Sequence, residues 1–284
     1  MQLHISHETL YRYGEPVKRS VQNLRLTPRR DPMQRVLSWK MATPGHCRSQ
    51  VDAYGNIVHL LTLDEPHKEI RIVVNGVVET EDQPALSAPG EGQLSPLTFL
   101  AETPLTRPDE AIASFARPRL QGGGDLRSKL IELAEAVCAE VRYEKGATDV
   151  HESASRAFAR GAGVCQDHSH IYLASCRSAG IPARYVSGYF YAGQAGEIAS
   201  HAWVDVWTGP RDPASAVKGI TWEADREQGW MSIDVTHCTP TDGRHCRLAV
   251  GRDYLDACPI RGVRRGGGLE DMQVAVRIAT AAEQ

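Results

Sequence analysis

Along the first eighty residues the apolar positions alternate. In QLHISHETLYRY, residues 2–13, Leu3, Ile5, Tyr11 and Tyr13 share one parity, the spacing of a strand with one buried face. VLSWKM, NIVHLLTL and IRIVVNGVVET continue the series, with PRRDP, TPGH and YGN between them as turn signals. Short strands at regular intervals with no helical period predict an antiparallel β-sandwich. A Pro/Gly-rich connector over 81–96 closes this region, and helical spacing takes over. PDEAIASFA reads as a short helix. In DLRSKLIELAEAVCAEVRY, Leu126, Leu130, Leu133, Val137 and Val141 fall on one face, behind Asp125 as N-cap. A third helix is predicted to start near Cys165 and stop at Gly180, a left-handed cap, with Pro182 preventing continuation. Strands return from ARYVSGYFY onward, through HAWVDVW, ITWEA, WMSIDVT and MQVAVRIA. The predicted class is α+β: a β domain over 1–82, a connector over 83–100, and a core over 101–284, helices first, that keeps the C-terminal strand.

Composition narrows the partners. Of 284 residues 42% are apolar and 24% charged, so a packed core is expected. A net charge of −3 argues against nucleic acid held by bulk electrostatics, and VRRGGG is too short a basic patch to change that. MQLHISHETLYRYGEP lacks the basic start and apolar centre of a signal peptide, and no apolar run approaches a membrane span. No membrane partner and a cytoplasmic location are therefore expected. The seven cysteines are scattered without a C-x-x-C pair, which indicates neither a zinc ribbon nor a disulfide framework.

GAGVCQDHSH places Cys165 at the first turn of the third helix, behind glycines 161 and 163. A packing cysteine, a metal ligand and a nucleophile are all open at this point. The unpaired N–H groups and positive end of a helix favour a thiolate, and they can receive an oxyanion. Free cysteines are nevertheless commonly packing residues. His201 opens HAWVDVW, whose alternation sets His201, Trp203, Asp205 and Trp207 against Ala202, Val204 and Val206. Alone it would be a strand-edge histidine, one of eleven. Asp234 lies in GWMSIDVTH and alone would be a strand-end aspartate. An antiparallel register with Trp207 opposite Gln228 sets His201 opposite Asp234, where a carboxylate can fix the imidazole tautomer. Cysteine, histidine and aspartate so arranged are thiol acyl-transfer machinery. A metal is not expected: Cys165, His168 and His170 cannot converge from one helix, because an offset of five leaves the face. His168 shares the Cys165 face and is expected to fill space there.

GVCQDHSH, SHAWVDVW and GWMSIDVTH, in this order and spacing, resemble the transglutaminase-like superfamily in its bacterial branch of cysteine proteases. LHISHETLYRYGEPVKRSVQNLRLTPR and DAYGN look like the N-terminal domain of that branch, and GRHCRLAVGRDYLDACPIRGVRRGGG like its C-terminal portion. The resemblance covers nearly the whole chain. It implies a papain-like core with Cys165 as nucleophile, His201 as base and Asp234 as its orienting partner. Three positions depart from the pattern: Asp-Val-Thr-His replaces Asp-Pro-Thr-Asn, His168 stands where an aromatic is usual, and residues 209–227 are a long connection.

Tyr189, Tyr191 and YAGQAGEIAS lead into the site and are expected at the substrate, together with Gln166 beside the nucleophile. Trp203 and Trp207 are expected in the core. The implied activity is acyl transfer at an amide or peptide bond through a Cys165 thioester, resolved by water, with a peptide, protein or small amide as substrate and no cofactor. Resolution by an amine would make it a protein-glutamine transglutaminase or amide-forming acyltransferase. A non-catalytic peptide- or protein-binding module is the reading from another class; an intact Cys/His/Asp set argues against it. Cys238 and Cys246 are a conceivable redox pair that nothing in their spacing demands.

Overall fold

The computed structural model describes residues 1–81, 94–122, 124–193, 200–209 and 229–281. The predicted strand ITWEA and most of the long connection lie outside these residues. Five strands come first: β1 (Gln2–Leu24), β2 (Gln34–Ala42), β3 (Cys47–Val51), β4 (Ile57–Leu63) and β5 (His67–Thr80). A 3-10 turn (Pro96–Leu100), α1 (Glu110–Leu120), α2 (Leu126–Glu140), β6 (Arg142–Tyr143), α3 (Ala154–Arg160), β7 (Ala162–Gly163) and α4 (Cys165–Ser178) follow. The chain then forms β8 (Ala183–Phe190), β9 (Ser200–Trp207), β10 (Trp230–Asp234), β11 (Thr239–Pro240) and β12 (His245–Gly251). It ends with α5 (Tyr254–Ala257), β13 (Ile260–Gly266) and β14 (Glu270–Thr280).

β1 is the spine of the first sheet, ordered β2-β5-β1-β4-β3. Its buried residues run on odd numbers from Leu3 to Val17, then switch to Ser20, Gln22 and Leu24. The parity resets between Val17 and Ser20, where the pairing with β13 shifts register, and the partners change across Gly14–Pro16 just before it. The first half pairs β5 and β14, the second half β4 and β13. The sheet curls on itself, so Trp39 and Met41 of β2 share a core with Leu61 and Leu63 of β4. One expectation is corrected here. The C-terminal strands, grouped with the core in the 101–284 boundary, hydrogen-bond along β1 instead. Alternation marks MQVAVRIA as a strand but carries no information about which sheet it joins.

The second sheet runs β11-β10-β9-β8-β12, and the helices pack on it. Asp125 caps α2 by accepting from Arg127 N and Ser128 N, and Leu130, Leu133, Val137 and Val141 are fully buried as the spacing predicts. α4 ends as predicted. Gly180 is left-handed at φ 71°, with Ile181 N bonding Cys176 O and Gly180 N bonding Arg177 O, both at 2.9 Å. Ala202, Val204 and Val206 enter the same core as Ile171 and Leu173 of α4, while Trp203 is buried against Val186 and Val250.

The two sheets are joined by side-chain amides. β12 is an edge strand whose outward peptide groups need partners. Asn56 Nδ2 donates to Val250 O and Val250 N donates to Asn56 Oδ1, each at 2.8 Å. Gln34 makes the same two bonds with Arg247, also at 2.8 Å. Asn56 belongs to DAYGN, and Asp52 of that stretch holds it by accepting from Asn56 N at 2.9 Å. Tyr54 of the same stretch donates to Asp256 Oδ2 at 2.7 Å.

Candidate active site

Local backbone chemistry sets Cys165. Gly161 ends α3 in the left-handed region at φ 67°. Gly163 cannot carry a side chain, because a Cβ there would lie 2.6 Å from Asp167 Cβ. That closeness lets Asp167 Oδ2 accept from Val164 N at 2.8 Å and from Thr148 Oγ1 at 2.6 Å. The first turn of α4 is thereby fixed, with Cys165 at its opening and half-buried against the core. Its leading N–H groups have no acceptor within the helix.

His201 stands near the start of β9 and Asp234 at the end of β10. The pairing sets Trp207 opposite Trp230 and Val204 opposite Ile233, two residues along from the expected register. Continued, it brings Asp234 beside Trp203 rather than His201. A slip of two keeps every side chain on its face, and the diagonal neighbour stays within reach. His201 Nε2 lies 2.8 Å from Asp234 Oδ2, and both side chains are fully buried.

Asp234 has more company than the sequence indicated. His237 Nδ1 approaches the same Oδ2 at 2.7 Å and His245 Nε2 at 3.0 Å, while His237 N donates to Oδ1 at 3.2 Å. Phe190 stacks over the three imidazoles with centroids at 5.2, 4.7 and 4.8 Å. Burial works against the Asp234 charge, but the hydrogen bonds from His201, His237 and His245 hold its carboxyl far below the usual carboxylate range. Burial also works against a charged His201, yet the bond to Asp234 and the Cys165 sulfur push it up to about 10. Its Nδ1 has no other partner among the described groups. Behind His245, Asp242 N donates to Nδ1 and Asp242 Oδ1 sits 3.2 Å from that nitrogen. His237 was visible only as the departure in Asp-Val-Thr-His. His245 gave no local signal, because its partner is brought to it by the turn between β10 and β12.

The remaining candidates separate. Cys165, His201 and Gln166 line one cavity of about 380 Å³, with Thr9, Tyr11 and Val274 of the first sheet on its opposite wall. Tyr189 and Tyr191, expected at the substrate, do not line it. Tyr189 is 1% exposed and packs between the sheets, its hydroxyl 2.7 Å from His7 Nδ1. Most of YAGQAGEIAS lies outside the described residues. His168 fills space as expected, with Nε2 2.9 Å from Val141 O and Nδ1 3.2 Å from Thr236 Oγ1. His170 is buried elsewhere, accepting from Tyr254 N at 3.1 Å. Donor atoms of His201, Asp234 and His237 lie within 4.8 Å of one another, so the histidine–carboxylate cluster has metal-ligand spacing that the sequence did not reveal. Cys246 is buried at the joint between the sheets; the neighbour of Cys238 is Cys138.

Two family models match the chain, the bacterial transglutaminase-like N-terminal region over 3–79 and the transglutaminase-like superfamily over 113–235. An uncharacterized protein of Mycobacterium leprae is 31% identical over 296 residues, covering 99% of each chain. Another, from Mycobacterium tuberculosis, is 28% identical over 91% of this chain and 86% of its own. The protein-glutamine gamma-glutamyltransferase of Pseudomonas aeruginosa is 30% identical over 131 residues, 40% of this chain and 16% of that one. A crystal structure from Cytophaga hutchinsonii, described as a "Putative Cysteine Protease", superposes with TM-score 0.76 at 20% identity, covering 99% of this chain and 91% of that one.

Proposed function

Since the chain belongs to the transglutaminase-like superfamily, whose chemistry is cysteine-based acyl transfer, we propose that Cys165, His201 and Asp234 are its nucleophile, base and orienting carboxylate. The observation that carries this is the 2.8 Å contact of His201 with buried Asp234 beside a cavity that Cys165 also lines. The Cys165 thiolate adds to the substrate carbonyl, and the oxyanion is received at the start of α4 with the Cys165 N–H as one donor. Collapse expels the amine, which takes its proton from the His201 imidazolium and leaves a thioester. His201 then accepts a proton from water as the oxygen adds, and the thiolate departs with the carboxylic acid released. Asp234 holds the ring with Nε2 occupied, which leaves Nδ1 for sulfur.

Water is the proposed acceptor, because half-exposed Val274 and Met272 leave the cavity open to solvent. The Pseudomonas relative favours a second reading, in which an amine takes the acyl group from a glutamine side chain. A peptide or protein substrate is proposed in either case. Seven unpaired cysteines support a reducing, cytoplasmic setting.

Chloroacetamide labelling at neutral pH with peptide mapping tests the nucleophile. Cys165 should react faster than the other six thiols, and His201→Ala should slow it. A screen of peptides and glutamine-containing proteins, with and without an amine donor, then separates hydrolysis from transfer by product mass. Uniform labelling unaffected by the histidine change, with no turnover in the screen, would favour the binding-module reading instead.

A further inference from the structure

The wall facing Cys165 is not part of the catalytic core. It is the odd-numbered face of β1 together with β14. Thr9 pairs directly with Val274 and Tyr11 with Met272, and residues directly opposite point to the same face. All four line the cavity. Burial changes steeply across this wall. On the β5 side, Ile72 and Ile70, opposite Thr9 and Tyr11, are 1% and 0% exposed. Thr9 and Tyr11 themselves are 1% and 8% exposed, whereas Val274 and Met272 reach 49% and 55%. The cavity is closed towards β5 and opens over β14. Met272 and Val274 are exposed apolar side chains that adjoin a cavity rather than stand alone, an arrangement that suits an apolar ligand group.

Two further observations define what fits. Among the described lining residues there is no Lys, Arg, Asp or Glu, and the only charge-bearing groups are the Cys165 and His201 couple. A charged side chain seated away from that couple, against β1 and β14, would have no counter-ion. The one histidine on this wall, His7, has both nitrogens engaged, by Tyr189 Oη at 2.7 Å and Thr9 Oγ1 at 2.9 Å. Burial lowers its pKa to about 4, so it is neutral at physiological pH. A volume of about 380 Å³ has room for one large side chain and its flanking backbone. β14 pairs only with β1 among the described strands, leaving its outer edge open to an added strand.

We propose that the acyl donor is an extended peptide lying over β14, with an uncharged apolar side chain seated against Tyr11, Met272 and Val274 and the adjoining carbonyl at Cys165. The first sheet is then the specificity wall of the enzyme. This rests on the acyl-transfer reading and names its substrate class.

Peptidyl chloromethyl ketones test the slot, since thiolate displacement of chloride reports docking without a known substrate. N-acetyl-Ala-Ala-Leu chloromethyl ketone is compared with its glutamate and lysine counterparts, and chloroacetamide serves as the undirected reagent. The leucine compound should alkylate Cys165 about tenfold or more faster than either charged one, the discrimination typical of an apolar pocket. Val274→Lys and Met272→Lys, on the exposed strand, should each shift the leucine-to-glutamate ratio towards glutamate. Each ratio is referred to the chloroacetamide rate of the same variant. Equal rates for the three peptides on the wild-type protein, with chloroacetamide still selecting Cys165, would overturn the slot alone. Unchanged ratios in both lysine variants would overturn the placement over β14. Failure of chloroacetamide to select Cys165 would instead strike the thiol chemistry beneath it.

Discussion

The first sheet and the core treat charge in opposite ways. On the sheet, ion pairs lie on the surface: Arg35 sits opposite Glu79 with side chains 71% and 42% exposed, and Arg71–Glu8 and Arg12–Glu69 are similar. Such pairs are screened by solvent and contribute little to stability. In the core, Asp205 is fully buried and bridged by Arg184 at 2.8 Å, by Arg247 and by Ser232 at 2.6 Å. Asp234 is buried among three imidazoles. A buried carboxylate is tolerated only when its lone pairs are met, so the core is rigid where it is charged. The sheet can vary without that constraint. The proposed Cys165, His201 and Asp234 set therefore lies on the half that holds buried charge, and the neutral cavity wall comes from the other.

Asp234→Asn breaks the comparison hardest. The amide retains the shape but not the charge, so turnover should fall by on the order of a hundredfold or more while the fold persists. Steady-state kinetics beside a thermal melt check this. The same variant has a pH signature. His201 has a folded pKa of about 10 against 6.5 unfolded. Its contribution to stability is complete below pH 6.5 and disappears as pH rises through about 10. Wild-type protein should lose stability across that window, and Asp234→Asn should flatten the slope. Full activity in the variant would mean that another acid orients His201.

His245→Gln acts one step further out. It removes the imidazole that links Asp234 to Asp242. The expected result is a fall in kcat of about tenfold, the scale of one hydrogen bond to a charged group, with KM little changed. The basic limb of the pH–rate profile should move as well, since Asp234 then presents a different field to His201. A merely structural histidine would lower the melting temperature and leave that profile in place.

How much of this was legible follows from range. The caps of α2 and α4, the buried face of β1 and the cysteine at the helix start are properties of neighbouring residues, and the chain states them. The register of β9 and β10 was placed two residues off, because alternation fixes the face and not the offset. Met272 and Val274 at the cavity, and His245 on Asp234, depend on pairings between strands far apart in sequence. Tyr189 was drawn to the site by proximity along the chain, whereas its hydroxyl turns to His7 at the joint.

That joint gives a prediction about stability. Asn56 is fully buried and satisfies both peptide groups of Val250. Asn56→Ala leaves a buried N–H and C=O without partners, which should cost on the order of 2–4 kcal/mol in urea denaturation. An exposed-pair variant such as Glu79→Gln should cost less than about 1 kcal/mol. Equal losses would show that the two halves are not held by these edge amides.

The smallest expected effect concerns the long connection, of which 210–228 lie outside the described residues. A long loop in an enzyme is easily read as an active-site lid. Its roots argue otherwise. Trp207 pairs with Trp230, and Thr208 N donates to Gly229 O at 2.9 Å, so the ladder is closed where the connection leaves and returns. His201 lies at the other end of β9. Six strand residues at about 3.3 Å each separate it from Trp207 by roughly 20 Å. Half the connection, if extended, could span that distance, so the test has to be functional. Replacing 210–226 with a short turn should leave Cys165 alkylation and turnover of a small amide near wild type. A collapse of turnover in a variant that still melts cooperatively would show that the connection reaches Cys165 and His201.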